Sequence, residues 1–379
     1  MKKIQMVDLK SQYEKIKPEI DAQWEEILDS CAFINGPAVH HFQANLEQYL
    51  HVKHVIPCGN GTEAIQVALM ALGLQPGDEV ITTTFTFIAT AEVIALLGLT
   101  PVLVDVNPDT FNINVDAVER AITPKTKAVV PVHLFGQCAD MERLLQVAEK
   151  YHLHVVEDAC QALGADYQFS DGHTQKAGTM GIMGCTSFFP SKNLGCYGDG
   201  GAIFTNDDQL ANKLRGIVNH GMFVRYYHDL VGVNSRLDSL QAAVLDVKLK
   251  RLNDYNVARQ SAATYYNSQF ASCSKLIVPQ KGKNTTHIFH QYTLRLQQVD
   301  RQKVMEYMAE KQIPCAIYYP VPLHMQKAYT SPRYGAGDFP VSEQLCKEVI
   351  SLPMHTELDK EQLEYITTNF LAAVEKAAL

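Results

Sequence analysis

Three short clusters hold residues that could do chemistry together. The first is Cys58-Gly59-Asn60-Gly61-Thr62-Glu63-Ala64. Its glycines lead into a helix whose next residues are apolar nearly all round, and Asn60 followed by Glu63 has the form of a capping box. The free N–H groups and positive dipole end of such a helix start suit a phosphate. A plain helix cap is the other reading of the same residues. The second cluster is Val155-Val156-Glu157-Asp158-Ala159-Cys160-Gln161, where two carboxylates end an apolar strand. Alternation along a strand turns them to opposite faces, so one should face a cleft unless both lie at a solvated strand end. The third cluster runs from Ser187 through Lys192 to Gly201. A lysine is usually a surface charge, yet Lys192 follows an aromatic strand and stands among small residues that admit a bulky group. Desolvation there would make it lose its proton more readily, and a neutral amine is what Schiff-base formation needs. A phosphate-binding helix start, a strand-end acid and a desolvated lysine, in that order, match a pyridoxal 5'-phosphate site. Lys192 would bond to the cofactor, and Asp158 would keep the pyridine nitrogen protonated.

The elements that must position these clusters form an alternating pattern between residues 55 and 206. Strands are expected at Val80–Phe85, Thr100–Val106, Ala128–Leu134, His154–Asp158, Cys185–Phe189 and Gly201–Thr205, with helices at Phe87–Leu97 and Asp140–Tyr151. Such alternation implies an α/β fold with a mostly parallel sheet covered by helices on both faces. Its chemistry belongs at the carboxyl ends of the strands. Beyond about residue 235 the pattern changes to two long helices, Leu237–Leu252 and Tyr255–Phe270. Strands are then expected at Gln291–Leu296 and Ile313–Tyr319, in a smaller α+β lobe.

Composition narrows the class. A chain of 379 residues is too long for one small core, so two lobes are expected. The net charge of −8 argues against a general nucleic-acid binder, while still allowing an anionic small substrate in a locally positive pocket. The nine cysteines show neither a CxxC pair nor metal-ligand spacing, so no metal is expected, and reduced thiols in a cytoplasmic protein are the simpler reading. No membrane association is expected: Asp8 and Lys10 interrupt any signal-peptide core behind Met1-Lys2-Lys3, and Glu92 and Pro101 break the longest apolar stretch.

The motifs CGNGTEA, GDEVITTTFTFIATAE, VPVHLFGQCADM, VEDACQALGA, TSFFPSKNLGCYGDGGAIFTND and VGVNSRLDSLQAA carry a resemblance over nearly the whole chain. The sequence resembles the nucleotide-sugar aminotransferases of the DegT/StrS group, within the fold-type I class of pyridoxal-phosphate enzymes. That resemblance implies a large, mostly parallel seven-stranded sheet domain with an N-terminal arm over 1–250 and a small α+β domain over 251–379. It implies that Lys192 forms the Schiff base and shuttles protons, Asp158 pairs with the pyridine nitrogen, and Gln161 contacts the ring hydroxyl. Phe87 would stack on the ring, and Gly61, Thr62 and Ser187 would bind the phosphate. Asn234 would reach the phosphate of a neighbouring subunit's cofactor, making the working unit a homodimer with shared active sites. Lysine at position 192, where a dehydratase variant of the group carries histidine, favours transamination from L-glutamate.

Residues 186–206 and 231–243 most resemble the branch that aminates C3 of UDP-2-acetamido-2-deoxy-3-keto-glucuronic acid for bacterial O-antigen. Arg236 would face the sugar carboxylate, with a subunit-interface ion pair as its other reading. Tyr319 would contact substrate, and Tyr318-Tyr319-Pro320 departs from the expected His-Tyr-Pro. A dTDP-3-keto-6-deoxyhexose, then a 4-keto sugar, are the rival substrates. A lyase on the same scaffold and a non-catalytic cofactor-binding sensor are the rival functions. His133 and His220 read as structural hydrogen-bonding groups, and Arg225-Tyr226-Tyr227-His228 as either a loop lining the nucleotide or an exposed turn.

Overall fold

A computed structural model describes residues 3–379; Met1 and Lys2, the start of the basic pair, lie outside the described residues. Seven strands form the central sheet: β1 His54–Cys58, β2 Glu79–Thr83, β3 Thr100–Val104, β4 Thr126–Val130, β5 His154–Asp158, β6 Met183–Ser187 and β7 Gly201–Thr205. Their spatial order is β1-β7-β6-β5-β4-β2-β3, and only β7 runs antiparallel to its neighbours. The α/β class with a seven-stranded, mostly parallel sheet is therefore observed. Five of the six expected strands are shifted by at most a few residues or not at all; the third, expected at Ala128–Leu134, ends four residues early, at Val130. The strand omitted from the reading is β1, whose Pro57 interrupts the β-branched run.

Successive strand residues enter opposite cores, as a sheet buried on both faces requires. Val80, Ala128, Val130 and Val156 join one core with helices α3 (Gly61–Leu72), α4 (Ala89–Leu96) and α7 (Asp208–Ile217). Ile81, Val129 and Val155 join the other, with α5 (Val115–Ala121) and α6 (Met141–Lys150). This parity sends Asp158 to the α3 side with Val156, and Glu157 to the α6 side with Val155. Ahead of the sheet, α1 (Leu9–Ser30) lays Ile16 and Ile20 against Val244 and Val247 of α8 (Ser239–Leu249). Helix α2 (Pro37–Leu50) adds Phe42 and Leu46 to a core shared with Leu245 and Leu249.

After α9 (Leu252–Phe270) comes an antiparallel three-stranded sheet of β8 Leu276–Ile277, β9 Tyr292–Leu296 and β10 Val349–Leu352. Helices α10 (Arg301–Glu310), α11 (Pro340–Glu348) and α12 (Lys360–Lys376) accompany it. The strand expected at Ile313–Tyr319 is not one: only Ala316 bridges, to Ser351, and the chain then leaves the sheet toward the end of β5. Its aromatic, β-branched composition serves packing against Phe85 and Phe135 instead. Arg225-Tyr226 caps an exposed hairpin of Met222–Val224 with Tyr227–His228. No helix among the described residues is long and apolar enough to cross a membrane, and all nine cysteines are unbridged.

Candidate active site

The three clusters meet at the carboxyl end of β5 and β6. A Cβ on Gly61 would lie 2.6 Å from Cβ of Ser187 and 2.9 Å from Sγ of Cys160. Gly201 abuts Asn60 as tightly, at 2.4 Å from a built Cβ to the carbonyl carbon. Glycine at these two positions is what lets helix start, strand end and lysine loop touch. Asn60 caps α3, its Oδ1 accepting the Glu63 N–H at 2.8 Å. The return half of a capping box is missing. The Glu63 carboxylate instead accepts from Asn60 Nδ2 at 2.9 Å and from the Ser235 hydroxyl. Ser235 also accepts the Gly59 N–H at 3.0 Å, so a segment far along the chain closes the back of this cup. The first helical N–H groups of Gly61 and Thr62 have no acceptor among the described residues, which leaves them open to an anion.

Asp158 is buried, with one carboxylate oxygen accepting from Thr90 Oγ1 at 2.7 Å and the other from the Cys160 N–H at 3.1 Å. Its backbone is pinned by Pro131 O and His133 N, each at 2.9 Å. Gln161 has its Oε1 fixed by the Phe135 N–H at 2.9 Å, and its Nε2 donates to the Tyr319 hydroxyl at 3.0 Å. Lys192 stands in a tight turn that closes from its own N–H to Phe189 O at 2.8 Å. The next residue, Asn193, anchors the turn to Asn256 Oδ1 at 2.8 Å and Ile288 O at 3.2 Å. The Lys192 amine has no hydrogen bond or ion pair among the described residues. Burial pushes its pKa down, partly opposed by the negative charges that Cys160 and Asp158 can carry. The site thus holds an amine biased toward its neutral, nucleophilic form. Phe87 is 56 % exposed, leaving a ring face open beside Tyr319, 6.4 Å away between centroids.

Lys192, Asp158, Gln161, Gly61 and Ser187 are thus brought together, with Thr62 in the same helix turn as Gly61 and Phe87 beside Tyr319. Asn234 is exposed and bridges only through backbone to Asn219. Arg236 is half-buried and has no carboxylate partner among the described residues. Thr90, Ser235 and Cys160 belong to the site and were missed. The one available signal was Thr90, a hydroxyl in an otherwise apolar helix start. His133 is structural, as expected: its Nε2–H donates to Glu157 at 2.8 Å and its Nδ1 accepts the Ala139 N–H at 3.1 Å.

The residues present fit pyridoxal phosphate: an amine unpartnered among the described residues and acted on by the charge of a buried acid with acceptor capacity to spare, and a glycine-built anion cup that touches the same segment at Cys160. Fold and site together define a pyridoxal-phosphate-dependent aminotransferase. A model of the DegT/DnrJ/EryC1/StrS aminotransferase family matches residues 14–371. The chain belongs to that family. It is 47% identical over 365 residues, covering 96% of each chain, to a pleiotropic regulatory protein of Geobacillus stearothermophilus. It is 43% identical over 363 residues to the UDP-2-acetamido-2-deoxy-3-oxo-D-glucuronate aminotransferase of Pseudomonas aeruginosa, covering 96% of this chain and 98% of that one. Among solved structures it superimposes on S. venezuelae DesV in complex with a ketimine intermediate. The TM-score is 0.93 at 36% identity, covering 98% of this chain and 99% of that one.

Proposed function

We propose that the protein transfers the amino group of L-glutamate to C3 of UDP-2-acetamido-2-deoxy-3-keto-D-glucuronate, releasing 2-oxoglutarate and the 3-amino sugar. The observation that carries the choice of sugar is Arg236, a half-buried guanidinium without a carboxylate partner among the described residues, next to the Ser235 that closes the phosphate cup. A guanidinium fork matches a uronate carboxylate. The likeness to the Pseudomonas enzyme supports the same reading. A second reading is a UDP-linked 3-keto sugar without the acid, since a relative from Acidithiobacillus ferrooxidans, 42% identical, is a UDP-N-acetyl-3-dehydro-alpha-D-glucosamine 3-aminotransferase.

Pyridoxal phosphate, when bound, supplies the electron sink that makes a proton beside the substrate nitrogen removable. This chain supplies the rest. Gly61, Thr62 and Ser187 would hold the phosphate, Asp158 the ring nitrogen, Gln161 the ring hydroxyl and Phe87 a ring face. Lys192 Nζ takes and returns the proton, and burial, which lowers its pKa, makes it give that proton up more readily. Asn234, exposed and without a side-chain partner among the described residues, would complete the phosphate site of a second copy. In this reading residues 1–250 carry the cofactor and 251–379 form the smaller domain of a cytoplasmic homodimer serving surface-polysaccharide synthesis.

The test is mass spectrometry of products formed from a panel of nucleotide keto-sugars with glutamate, using Lys192→Ala as the blank. We expect the 3-amino uronate with the wild-type protein and nothing with the blank. Turnover of a deoxyhexose with none of any uronate would overturn the substrate, and turnover by Lys192→Ala would overturn the role of the lysine.

A further inference from the structure

Tyr319 enters the site from a distant part of the chain. Ala316, three residues before it, exchanges both backbone hydrogen bonds with Ser351 of β10, at 2.8 and 3.1 Å. Four residues after it, the Leu323 N–H donates to Thr84 O at 2.8 Å, and the Thr84 hydroxyl pairs with His324 Nδ1 at 2.9 Å. Between these anchors the Tyr319 ring lies against Phe85, Phe87 and Phe135, with centroids 6.1, 6.4 and 6.5 Å away. The hydroxyl is thereby carried to Gln161, whose Nε2–H it accepts at 3.0 Å.

The other half of that amide settles its orientation. A backbone N–H, that of Phe135, points at Gln161 Oε1 from 2.9 Å, so the oxygen must face it and the NH2 must face Tyr319. One of the two Nε2 hydrogens goes to Tyr319. The second has no acceptor among the described residues. With oxygen and one hydrogen both committed, the amide cannot rotate, and its remaining N–H keeps a fixed aim beside Asp158. Burial, then the negative charge of Asp158, keeps the Tyr319 hydroxyl in its protonated form.

We propose that Tyr319 is a positioning residue for Gln161, locking the amide so that its free N–H is presented to the ring hydroxyl oxygen of the cofactor. This rests on the pyridoxal-phosphate reading of the site and goes beyond it, because it gives Tyr319 a role in tuning the cofactor and not in holding the sugar. The consequence follows from charge. With the cofactor bound, a donor fixed on the ring oxygen would stabilise its negative form and weaken its grip on the proton of Lys192 Nζ, the nitrogen joined to the cofactor. Freeing Gln161 strengthens that grip, so the proton leaves at higher pH. One ordinary hydrogen bond corresponds to a rise of about 0.5 to 1 pH unit.

The experiment titrates the visible absorption of the purified holoenzyme for wild type, Tyr319→Phe, Gln161→Ala and the double variant, alongside KM for the sugar and thermal stability. Tyr319→Phe keeps the ring packing, so it should fold with an unchanged melting temperature. We expect its titration midpoint to rise by about 0.5 to 1 unit, with KM for the sugar within about twofold of wild type. The double variant should titrate like Gln161→Ala alone, because Tyr319 acts only through that residue. An unshifted midpoint would overturn the proposal, and so would a large rise in KM for the sugar, which would make Tyr319 a substrate contact. Additive shifts in the double variant would also overturn it. If wild type shows no visible band after reconstitution with pyridoxal phosphate, the cofactor reading fails, a result separable from failure of the tyrosine's role alone.

Discussion

Glu157 and Asp158 are consecutive carboxylates at the end of one strand, and their surroundings differ in a way that assigns their tasks. Glu157, on the α6 face, accepts from His133 Nε2 and the Gly178 N–H at 2.8 Å each, and from the N–H groups of Met180 and Gly181 at 2.6 Å each. Asp158, on the α3 face, has two donors and keeps acceptor capacity toward the amine of Lys192. A carboxylate offers about four lone-pair sites. Where all are filled by the fold, the group is a staple; where some remain open beside a buried amine whose pKa is lowered, it is available to a ligand.

That contrast is most directly broken by exchanging each acid for its amide. Asp158→Asn should fold normally and lose roughly a hundred- to a thousandfold in turnover, the scale of removing one preorganised electrostatic contact. Glu157→Gln should do the reverse. Its oxygen can satisfy Met180 and Gly181, but its NH2 would then face the Gly178 N–H and the His133 Nε2–H. His133 cannot shift its proton to Nδ1 without orphaning the Ala139 N–H. Two unsatisfied buried donors cost roughly 1–3 kcal/mol each, readable by urea unfolding, while the folded fraction keeps its turnover. A stable Glu157→Gln protein with dead chemistry would erase the distinction.

A second contrast separates the site from the seam behind it. Arg259 there donates to three carbonyls, Phe289 and His290 and Met354, at 3.0–3.2 Å. Around it burial holds three histidines neutral: His287 is pushed down to about 3, His355 to about 4, and His290 well below the usual imidazole range, with Lys192 and Arg259 adding to the effect. Arg259 also faces His355, opposed by Asp8 and Glu357. The sign is fixed by which state binds the proton. Below pH 6.5 the unfolded chain protonates these residues and the folded chain does not, so stability is full above 6.5 and falls as pH drops toward about 4. At about pH 5 each such histidine costs roughly 2 kcal/mol relative to neutral pH. His355→Asn keeps an acceptor for the Glu357 N–H, which Nδ1 now accepts at 3.2 Å, and removes one titration, so it should flatten the dependence. Equal unfolding free energies at pH 5 and pH 7.5 in wild type would refute the account.

The parts legible from sequence were those encoded locally. Strand–helix alternation announced the sheet, the parity of Val155 to Asp158 announced two carboxylates on opposite faces, the glycines at 59 and 61 announced a helix start suited to a phosphate, and the small residues around Lys192 announced room for a bulky group. What stayed hidden joins residues remote in the chain. Thr90 meets Asp158 across 68 positions, Gln161 meets Tyr319 across 158, and Ser235 meets Glu63 across 172. Periodicity carries no information about such pairs. The Ile313–Tyr319 segment misled for the same reason, since its apolar residues satisfy aromatic neighbours supplied by β2 and β4 loops rather than a strand partner.

Thr90 offers the finest test of why Asp158 differs from Glu157. Its hydroxyl is buried and gives Asp158 one of its two donors among the described residues. Thr90→Val is nearly isosteric, so packing should hold, but one carboxylate oxygen would lose its partner and part of its fixed direction. A hydrogen bond to a charged group contributes about 1.5–3 kcal/mol, of which we expect only part in turnover, a loss of about tenfold. Thr90→Ser restores the hydroxyl and should recover most of it. The same substitution logic has no counterpart at Glu157, where the backbone supplies three of four donors and no side-chain change removes them. Full activity in Thr90→Val would mean that the Cys160 N–H alone orients Asp158, and that the spare capacity of this acid owes nothing to the helix start at residues 87–90.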